Sequence, residues 1–360
     1  MSADAGLAPD APADGWPGPG RLAVAFGCAG HALTADERAF FADVRPLGFI
    51  LFARNCAEPA QVAALVAAMR ETVGDPFAPV LIDQEGGRVQ RLKPPQWRHA
   101  PPARAFGDLW LRDRTAAREA AALNARLIGE DLAALGVTVD CAPVLDVAVP
   151  ETHPAIGDRA FGADPLQVAE LGWAMAEGLE AAGVTPVIKH LPGHGRAVVD
   201  SHLELPRIAA GREALEASDF VPFRALADLP WGMVGHLVIE AVDPARAASV
   251  SPAVIRDLIR GALRFDGVLA SDDISMQALG GSLGERTRAL LAAGCDLVLH
   301  CNGVLAEMRE VAAAAAPLTG DARMRLLRAE RRRLTARQAP PEREAAIARL
   351  AQLMEEPAGG

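Results

Sequence analysis

The chain has 360 residues, of which 51% are hydrophobic and 23% charged, and its formal net charge is −10 at pH 7. This composition supports a sizeable core and excludes global disorder. The acidic balance argues against nonspecific binding to nucleic acid or to an anionic membrane, because both require clustered Lys and Arg. A small molecule is therefore the expected partner.

The first 20 residues are rich in Ala, Pro, Asp and Gly. They would bury little apolar surface, so residues 1–20 are expected to form a disordered tail. From residue 21 onwards, short apolar runs typical of strands alternate with longer amphipathic segments. These runs lie at 22–27, 49–53, 79–83, 137–144, 185–190, 232–239, 267–273 and 296–301.

The segments between these runs have the length and apolar spacing of helices. They lie at 58–73, 114–135, 165–182, 211–228, 252–263 and 282–293, and two Arg- and Ala-rich helices follow at 303–316 and 319–354. Eight strands that alternate with helices predict an α/β fold, a single (β/α)8 TIM-type barrel with extra C-terminal helices. We assign residues 21–318 to the barrel, which would carry any functional site, and 319–360 to a C-terminal helical extension packed on it.

The N-terminal segment has no basic stretch followed by an apolar stretch, so neither a signal peptide nor an anchor is expected there. No later apolar run is long enough to span a bilayer. The five cysteines lack CxxC spacing, which disfavours a disulfide framework or a zinc ribbon and predicts reduced core residues. We therefore expect a cytoplasmic protein, and we expect it to be a monomer.

The segment LIDQEGGRVQRL places Asp83 and Glu85 at the end of the third strand, before two glycines. At the mouth of a barrel, Asp83 and Arg91 would supply the acceptor and the fork of donors that sugar hydroxyls need. For Glu85 the preferred interpretation is structural, a salt bridge with Arg88 across the turn.

The run VIKHLPGHGRAVVDSH carries Lys189 and His190 at the end of the fifth strand, with Asp200 and His202 further along. A Lys at a strand tip also occurs in Schiff-base enzymes, where desolvation lowers its pKa. A metal site of His190, His194, His202 and Asp200 is disfavoured, because the proline and glycines of this turn forbid a helix that would align two histidines. The third interpretation is a proton-transfer pair in which Asp200 fixes the tautomer of a histidine. The lysine and the Asp-His interpretations both stay open on this pattern alone.

In the segment GVLASDDISMQAL, an apolar strand runs into Asp272 and Asp273. An ionised carboxylate at this position can act as a nucleophile. Consecutive residues of a strand point in different directions, so at most one of the two faces a substrate. We expect Asp273 to cap the helix that follows.

Five segments in this order resemble glycoside hydrolase family 3, in particular the bacterial β-N-acetylglucosaminidases that recycle peptidoglycan. They are GFILFARN, LIDQEGGRVQR, GDRAFG, IKHLPGHG followed by DSH, and VLASDDISM. The likeness extends from about Gly48 to Asn302, and no single segment would suffice for it.

The resemblance implies a retaining exo-enzyme that removes terminal β-linked N-acetylglucosamine through a covalent glycosyl-enzyme. It implies Asp272 as the nucleophile and His202, oriented by Asp200, as the general acid and base. It also implies a set of substrate-binding residues around the sugar, namely Asp83, Arg91, Arg159, Lys189 and His190. No cofactor and no metal are implied. The implied partner is a small saccharide of the N-acetylglucosamine-anhydromuramic acid type, derived from muropeptides.

Two other functions remain open on the sequence, a Schiff-base lyase that uses Lys189 and a sugar-binding protein without catalysis. The sequence also leaves open the preferred aglycone and whether water or phosphate resolves the glycosyl-enzyme. A histidine as acid and base would repel an anionic acceptor less than a carboxylate would.

Overall fold

The computed structural model describes residues 11–199 and 204–355 of the chain. Within these ranges eight parallel strands close a barrel, in which each strand pairs with the next and the last pairs with the first. The predicted (β/α)8 fold is therefore confirmed. The barrel strands are β1 (Leu22–Phe26), β2 (Pro46–Leu51), β3 (Val80–Ile82), β4 (Val139–Asp140), β5 (Thr185–Leu191), β6 (Trp231–Val234), β7 (Val268–Asp273) and β8 (Leu297–His300).

The strands are mostly apolar because both of their faces are buried, and charged residues appear only toward their C-terminal ends. In β2, Ile50 points into the barrel interior, whereas Phe49 and Leu51 pack in the layer between the strands and the surrounding helices. The same alternation places Leu81 of β3 inside the barrel. Since all the strands run parallel, their C-terminal ends meet at one rim.

Helices surround the barrel between successive strands and extend beyond the last one. The α-helices of the described part of the chain are α1 (Ala35–Val44), α2 (Pro59–Val73), α3 (Ala103–Trp110), α4 (Arg114–Ala134), α5 (Pro165–Ala181), α6 (Arg212–Ala217), α7 (Val221–Ala225), α8 (Leu283–Ala293), α9 (Leu305–Ala314), α10 (Gly320–Ala336) and α11 (Arg343–Glu355). A π-helical segment, Ala253–Ala262, lies between β6 and β7. Two short strands, Gln84–Gly86 and Val89–Gln90, form a hairpin directly after β3.

Helix α1 is absent from the sequence prediction, although its start carries a recognisable signal. The Thr34 hydroxyl accepts from the backbone N–H of Glu37, and the Glu37 carboxylate accepts from the backbone N–H of Thr34. This reciprocal capping box satisfies two donors that the helix itself leaves unpaired. The sequence TADE at 34–37 could therefore have identified α1.

Two predicted helices are each divided in the structure, and prolines explain both divisions. The segment 211–228 forms α6 and α7, and Pro222 lies in the first turn of the second helix. The segment 319–354 forms α10 and α11, with Pro340 and Pro341 in the connection. A proline is tolerated in the first turn of a helix but not in its interior, where it removes a backbone hydrogen bond and clashes with the preceding turn, so one helix cannot continue through these positions.

Helix α10 closes the end of the barrel opposite to the C-terminal rim. Its residues Ala322 and Leu326 pack in one cluster with Trp231 and Leu297, which begin β6 and β8. The barrel interior is therefore sealed at the N-terminal ends of the strands. The open end is the rim where the predicted site residues lie.

The segment before β1 contacts the barrel, which differs from the expectation of a tail over residues 1–20. Trp16 Nε1 donates to the Asp75 carboxylate at 3.0 Å, and its ring meets Phe77 edge to face. Arg323 of α10 donates to the carbonyl of Pro17 at 2.7 Å. The partly buried Trp16 ring and the Arg323 contact thus hold part of this segment on the barrel.

The cysteines are all free, and four of the five are buried, as predicted for reduced core residues. No helix in the ranges 11–199 and 204–355 is long and apolar enough to cross a membrane.

Candidate active site

A cavity of about 330 Å³ opens at the C-terminal rim of the barrel. Six of the predicted site residues line it, namely Asp83, Arg91, Arg159, Lys189, His190 and Asp272. They follow or end strands β3, β5 and β7 or lie in the connecting loops, which is the usual location of functional side chains in this fold. The other two, Asp200 and His202, lie outside the described residues.

Lys189 is a buried ammonium held between two carboxylates. Its Nζ lies 2.8 Å from Asp83 Oδ1 and 2.7 Å from Glu85 Oε1, and only 1% of the residue is exposed. Burial alone would lower the pKa of Lys189, but the two carboxylates outweigh it and raise this pKa above its usual range. A Schiff-base nucleophile requires the neutral amine. These contacts therefore oppose the lyase interpretation.

Asp83 is held by two cations from different parts of the chain. Its Oδ2 accepts from Arg91 at 3.0 Å, and its Oδ1 accepts from Lys189. Burial alone would raise the pKa of Asp83, but Lys189 and Arg91 hold it well below its usual range. The Arg91 guanidinium also lies 4.9 Å from the centre of the Phe52 ring, which is part of the cavity wall. The carboxylate is therefore ionised and fixed in orientation.

Glu85 belongs to the same network, and its predicted salt bridge with Arg88 is wrong. Arg159 Nε and Nη2 each donate to the Glu85 carboxylate at 2.8 Å. Burial would raise the pKa of Glu85, but Arg159 and Lys189 lower it to about 2. Arg88 instead pairs with Asp158 at 2.7 Å near the surface. The hairpin after β3 explains the difference, because its turn separates the buried Glu85 from the exposed Arg88.

Asp146, which the sequence analysis did not identify, organises the loop after β5. Its Oδ2 lies 2.7 Å from His190 Nδ1, and its Oδ1 accepts from the backbone N–H of His194 at 2.7 Å. Burial would raise the pKa of Asp146, but the two histidines lower it to about 2. A carboxylate can only accept, so His190 Nδ1 carries the hydrogen. Asp146 therefore fixes both the tautomer and the position of His190 in the cavity wall.

His194 is a neutral imidazole in the described structure. It is 3% exposed, and neither ring nitrogen has a hydrogen-bond partner. Burial, as the largest effect, lowers the pKa of His194 to about 4. The next residue must be glycine, because a Cβ at Gly195 would lie 1.8 Å from the carbonyl oxygen of Val147.

No group of three or more His, Cys, Asp or Glu within the described ranges could hold a metal ion.

Asp272, at the end of β7, is an ionised carboxylate in the cavity wall. Its Oδ1 accepts from the backbone N–H of Asp273 at 2.8 Å. Burial alone would raise the pKa of Asp272, but the imidazoles of His190 and His236 and this hydrogen bond lower it. No Lys or Arg in the described part of the chain forms an ion pair with Asp272. The Asp272 carboxylate is thus charged and lines the same cavity as Lys189, but it forms no ion pair with that ammonium.

Asp273 stabilises a turn, whereas the sequence predicted a helix cap. Its Oδ1 accepts from the backbone N–H groups of Ser275 and Cys301, at 3.1 and 3.2 Å. Its Oδ2 accepts from the Ser275 hydroxyl at 2.6 Å. The next helix begins only at Leu283, where Ser282 is the cap. The difference arises because the residues after β7 form turns before α8 begins.

Asp140, at the end of β4, is a further buried carboxyl near the cluster that the sequence analysis missed. Its Oδ1 accepts from the backbone N–H of Gln84 at 2.9 Å, and its Oδ2 has no partner in the described structure. Burial raises the pKa of Asp140 to about 7. A signal did exist for both missed acids, since Asp140 and Asp146 end or follow apolar runs as Asp83 and Asp272 do.

Comparison with known proteins identifies the family. Residues 24–336 match the Glycosyl hydrolase family 3 N terminal domain. A beta-hexosaminidase of Alkalilimnicola ehrlichii is 40% identical over 281 residues, which are 77% of this chain and 80% of that protein. A beta-hexosaminidase of Xylella fastidiosa is 41% identical over 282 residues, which are 77% of this chain and 82% of that protein.

Solved structures show the same likeness. NagZ from Neisseria gonorrhoeae, in complex with N-trifluoroacetyl-D-glucosamine, is 30% identical and superposes with a TM-score of 0.80. The alignment covers 93% of this chain and 97% of that one. A Beta-N-acetylhexosaminidase from Beutenbergia cavernae is 29% identical, with a TM-score of 0.72 over 87% of this chain and 96% of that one. From its sequence match and its barrel, this chain belongs to glycosyl hydrolase family 3.

Proposed function

We propose that this chain is a retaining exo-β-N-acetylglucosaminidase that acts in the cytoplasm on muropeptide-derived saccharides, in cell-wall recycling. Its family and its beta-hexosaminidase relatives make it a glycoside hydrolase of the β-N-acetylhexosaminidase class. The finer proposal concerns the stereochemistry, the residues and the biological role. The complex of gonococcal NagZ with N-trifluoroacetyl-D-glucosamine supports a sugar of this type as the ligand.

The observation that carries the proposal is the state of Asp272 among the cavity carboxylates. Asp83 and Glu85 are committed to ion pairs. The Asp273 carboxylate accepts two hydrogen bonds from Ser275 within the turn and one from the backbone N–H of Cys301 after β8. In the described structure Asp272 accepts only the backbone N–H of Asp273 on Oδ1. An ionised carboxylate in the cavity wall, free of an ion pair, is the group required to form a glycosyl-enzyme.

In the first proposed step, a carboxylate oxygen of Asp272 forms a bond to the anomeric carbon. The bond from that carbon to the leaving oxygen breaks, and this oxygen keeps the electron pair and takes a proton from His202. In the second step, water gives a proton to His202 and attacks the same carbon, which releases the Asp272 carboxylate. Two inversions at one carbon retain its configuration. Asp200 orients His202, and both roles rest on the family motif.

The ion-paired cluster would bind the sugar without rearrangement. Lys189, Arg91 and Arg159 each have a carboxylate partner already, so their positions do not depend on the ligand. Their remaining N–H groups, together with the carboxylate oxygens, can face several sugar hydroxyls at once. Groups that are positioned before the substrate arrives cost no reorganisation during the reaction. We expect this cluster to place the anomeric carbon beside Asp272.

The assay that tests the proposal compares 4-nitrophenyl β-N-acetylglucosaminide with the matching β-glucoside, each with and without phosphate. We expect turnover of the first substrate, far slower turnover of the second, and free N-acetylglucosamine as the product. Formation of a sugar 1-phosphate in the presence of phosphate would show that the reaction is phosphorolysis and not hydrolysis. Binding of N-acetylglucosamine without any turnover would favour a sugar-binding protein, and borohydride trapping of a substrate on Lys189 would favour the lyase.

A further inference from the structure

A buried imidazole lies behind the strand end that carries Asp272. His236 Nε2 is 3.1 Å from the carbonyl oxygen of Asp273, and His236 Nδ1 is 2.7 Å from the hydroxyl oxygen of Ser249. Both His236 and Ser249 are fully buried. His236 is not part of the cavity wall, so it has no direct access to a ligand there.

The partners of His236 determine its tautomer. A carbonyl oxygen can only accept, so Nε2 carries the hydrogen that is donated to Asp273. Burial lowers the pKa of His236, which favours the neutral ring. In a neutral ring the other nitrogen is an acceptor, so Ser249 donates its hydroxyl to Nδ1. The hydroxyl of Ser249, the ring of His236 and the Asp273 carbonyl thus form one directed chain of hydrogen bonds.

These hydrogen bonds through His236 support the end of β7 on the side of β6, and β8 supports the other side. Ser271 Oγ accepts from the backbone N–H of Leu299 at 3.1 Å, and the Asp273 carboxylate accepts from the backbone N–H of Cys301. The residue between these supports is Asp272. The backbone N–H of Asp273 can hold Asp272 Oδ1 only while the Asp273 backbone keeps its orientation.

We propose that His236, fixed by Ser249, is a positioning residue that aims the Asp272 carboxylate at the anomeric carbon. The inference rests on the proposed role of Asp272 as the nucleophile. The Asp273 carbonyl also accepts from the backbone N–H of Met276 at 3.2 Å, within the turn. Loss of the His236 bond would leave it with this turn bond alone, so its orientation would no longer be fixed from the side of β6. Asp273 N–H would then no longer hold Asp272 Oδ1. Because small displacements of a reacting group are costly, bond formation would slow while sugar binding would not change.

The test uses three substitutions in the full chain. His236→Leu removes both hydrogen bonds, His236→Gln keeps a donor near the position of Nε2, and Ser249→Ala removes the group that fixes the tautomer. The matched control is Ser251→Ala, since Ser251 is also buried but its hydroxyl donates to Asp243. Each variant is measured for kcat on 4-nitrophenyl β-N-acetylglucosaminide, for affinity for N-acetylglucosamine, and for the rate of labelling by a 5-fluoro N-acetylglucosaminyl fluoride.

We expect His236→Leu to lower kcat and the labelling rate about 10- to 100-fold, with affinity for N-acetylglucosamine within about threefold of the original chain. His236→Gln should recover most of this loss, and Ser249→Ala should lose less than His236→Leu but clearly more than Ser251→Ala. If His236→Leu does not fold, the test is the comparison of Ser249→Ala with Ser251→Ala. Equal labelling rates for these two variants would overturn the inference.

A folded His236→Leu variant with an unchanged labelling rate would also overturn it, as would a loss of affinity as large as the loss of kcat. The residue labelled in the original chain distinguishes a failure of this inference from a failure of the proposed function. A label on Asp272 in the original chain, with unaffected His236 variants, contradicts only the positioning role. A label on another residue contradicts the role of Asp272 itself.

Discussion

At the residue scale, Asp272 and Asp273 are adjacent carboxylates with different surroundings, and substitution should separate their roles. Asp272→Asn keeps the shape but removes the nucleophilic charge. We expect a loss in kcat on the order of 10⁴-fold without a change of fold, because groups that act as one catalytic unit fail together. Steady-state kinetics with an aryl N-acetylglucosaminide, alongside circular dichroism, measures both parts of this expectation.

Asp273→Asn is the matched control. Its side chain accepts from Ser275 and Cys301, so the substitution should lower the free energy of unfolding by about 1–2 kcal/mol. Its effect on kcat should be far smaller than that of Asp272→Asn. The reverse order of the two kinetic effects would show that Asp273 is the nucleophile.

The proposed role of His202 as the general acid predicts a dependence on the leaving group. A nitrophenolate departs without a proton, whereas a sugar alkoxide does not, and positioned proton transfer contributes roughly 10² to 10⁴ in rate. His202→Ala should therefore slow a natural disaccharide far more than 4-nitrophenyl β-N-acetylglucosaminide. Rates across a series of aryl leaving groups measure this difference, which should shrink as the leaving-group pKa falls.

If Asp200 orients His202 as proposed, Asp200→Ala should give the same pattern more weakly, because the imidazole would be misoriented but still present. Equal losses for good and poor leaving groups would argue against His202 as the general acid. That outcome would leave the role of Asp272 untouched.

The buried carboxyl of Asp140 predicts a pH-dependent cost in stability. Burial raises its pKa to about 7, whereas an unfolded Asp loses its proton near pH 3.9. Between these values the folded chain binds more protons than the unfolded chain, so this contribution to stability falls as the pH rises. Relative to Asp140→Asn, the original chain should lose a few kcal/mol between about pH 4 and pH 7.

Denaturant unfolding of both chains at several pH values measures the difference between their free energies of unfolding. The difference should grow across that window and become constant above pH 7. A difference that does not vary with pH would show that Asp140 is ionised in the folded chain throughout.

The positions of single site residues could be predicted, but their partners could not. Asp83, Lys189 and Asp272 were found because polar residues directly follow apolar strand runs. The ion pair between Lys189 and Asp83 joins residues 106 positions apart, and that between Arg159 and Glu85 joins residues 74 positions apart. Such pairs depend on how β3, β5 and the loop after β4 meet at the rim, which local patterns do not contain. For this reason the sequence predicted Arg88, only three residues away, as the partner of Glu85.

At the scale of elements, the C-terminal helix α11 stabilises the barrel from a distance. Leu350 is buried, and Arg349 beside it pairs with Glu119 of α4 through two hydrogen bonds of 2.7 and 2.9 Å. Leu350→Ala should lower the free energy of unfolding by about 2–5 kcal/mol, because it leaves a cavity. The kcat should stay unchanged at a temperature where both chains are folded, because the helix packs on the outer side of α4.

Ile347 on the same helix is 37% exposed and provides the control. Ile347→Ala should cost less than half as much in chemical denaturation. Equal costs for the two substitutions would contradict the burial of Leu350, and a fall in kcat for Leu350→Ala would contradict the separation of α11 from the site.

Which elements could be predicted follows from where their signals lie. The barrel strands are mostly apolar runs, which stand out because both faces are buried. Helix α1 has only 10 residues, too few for a clear apolar periodicity, so its signal lies in the capping box of Thr34 and Glu37 instead. The break between α10 and α11 was missed although Pro340 and Pro341 mark it.

At the scale of the whole molecule, the two ends of the barrel differ in function. Helix α10 fills the end at the start of the strands with apolar side chains, and the opposite rim carries the charged cluster. This division agrees with the general separation of stability and chemistry in (β/α)8 barrels. The alternation of eight strand signals with helix signals predicted a single barrel, but it could not predict that α10 seals one end or that Trp16 contacts the barrel.

The proposed reaction uses a carboxylate and an imidazole at every step, so we expect activity without a metal ion. Dialysis against a chelator should leave kcat unchanged for 4-nitrophenyl β-N-acetylglucosaminide. A loss of activity that zinc restores would contradict this expectation and revive a metal site that includes His190, His194 and His202.

The most direct test of the central claim is to locate the covalent intermediate. A 5-fluoro N-acetylglucosaminyl fluoride lets Asp272 displace fluoride while slowing the release of the glycosyl group. Mass analysis of peptides from the labelled chain should place the sugar on Asp272, and Asp273→Asn should be labelled in the same way. A label on Asp273 or Lys189, or rapid turnover of substrate by a chain that accumulates no label at all, would contradict the assignment of Asp272 as the nucleophile.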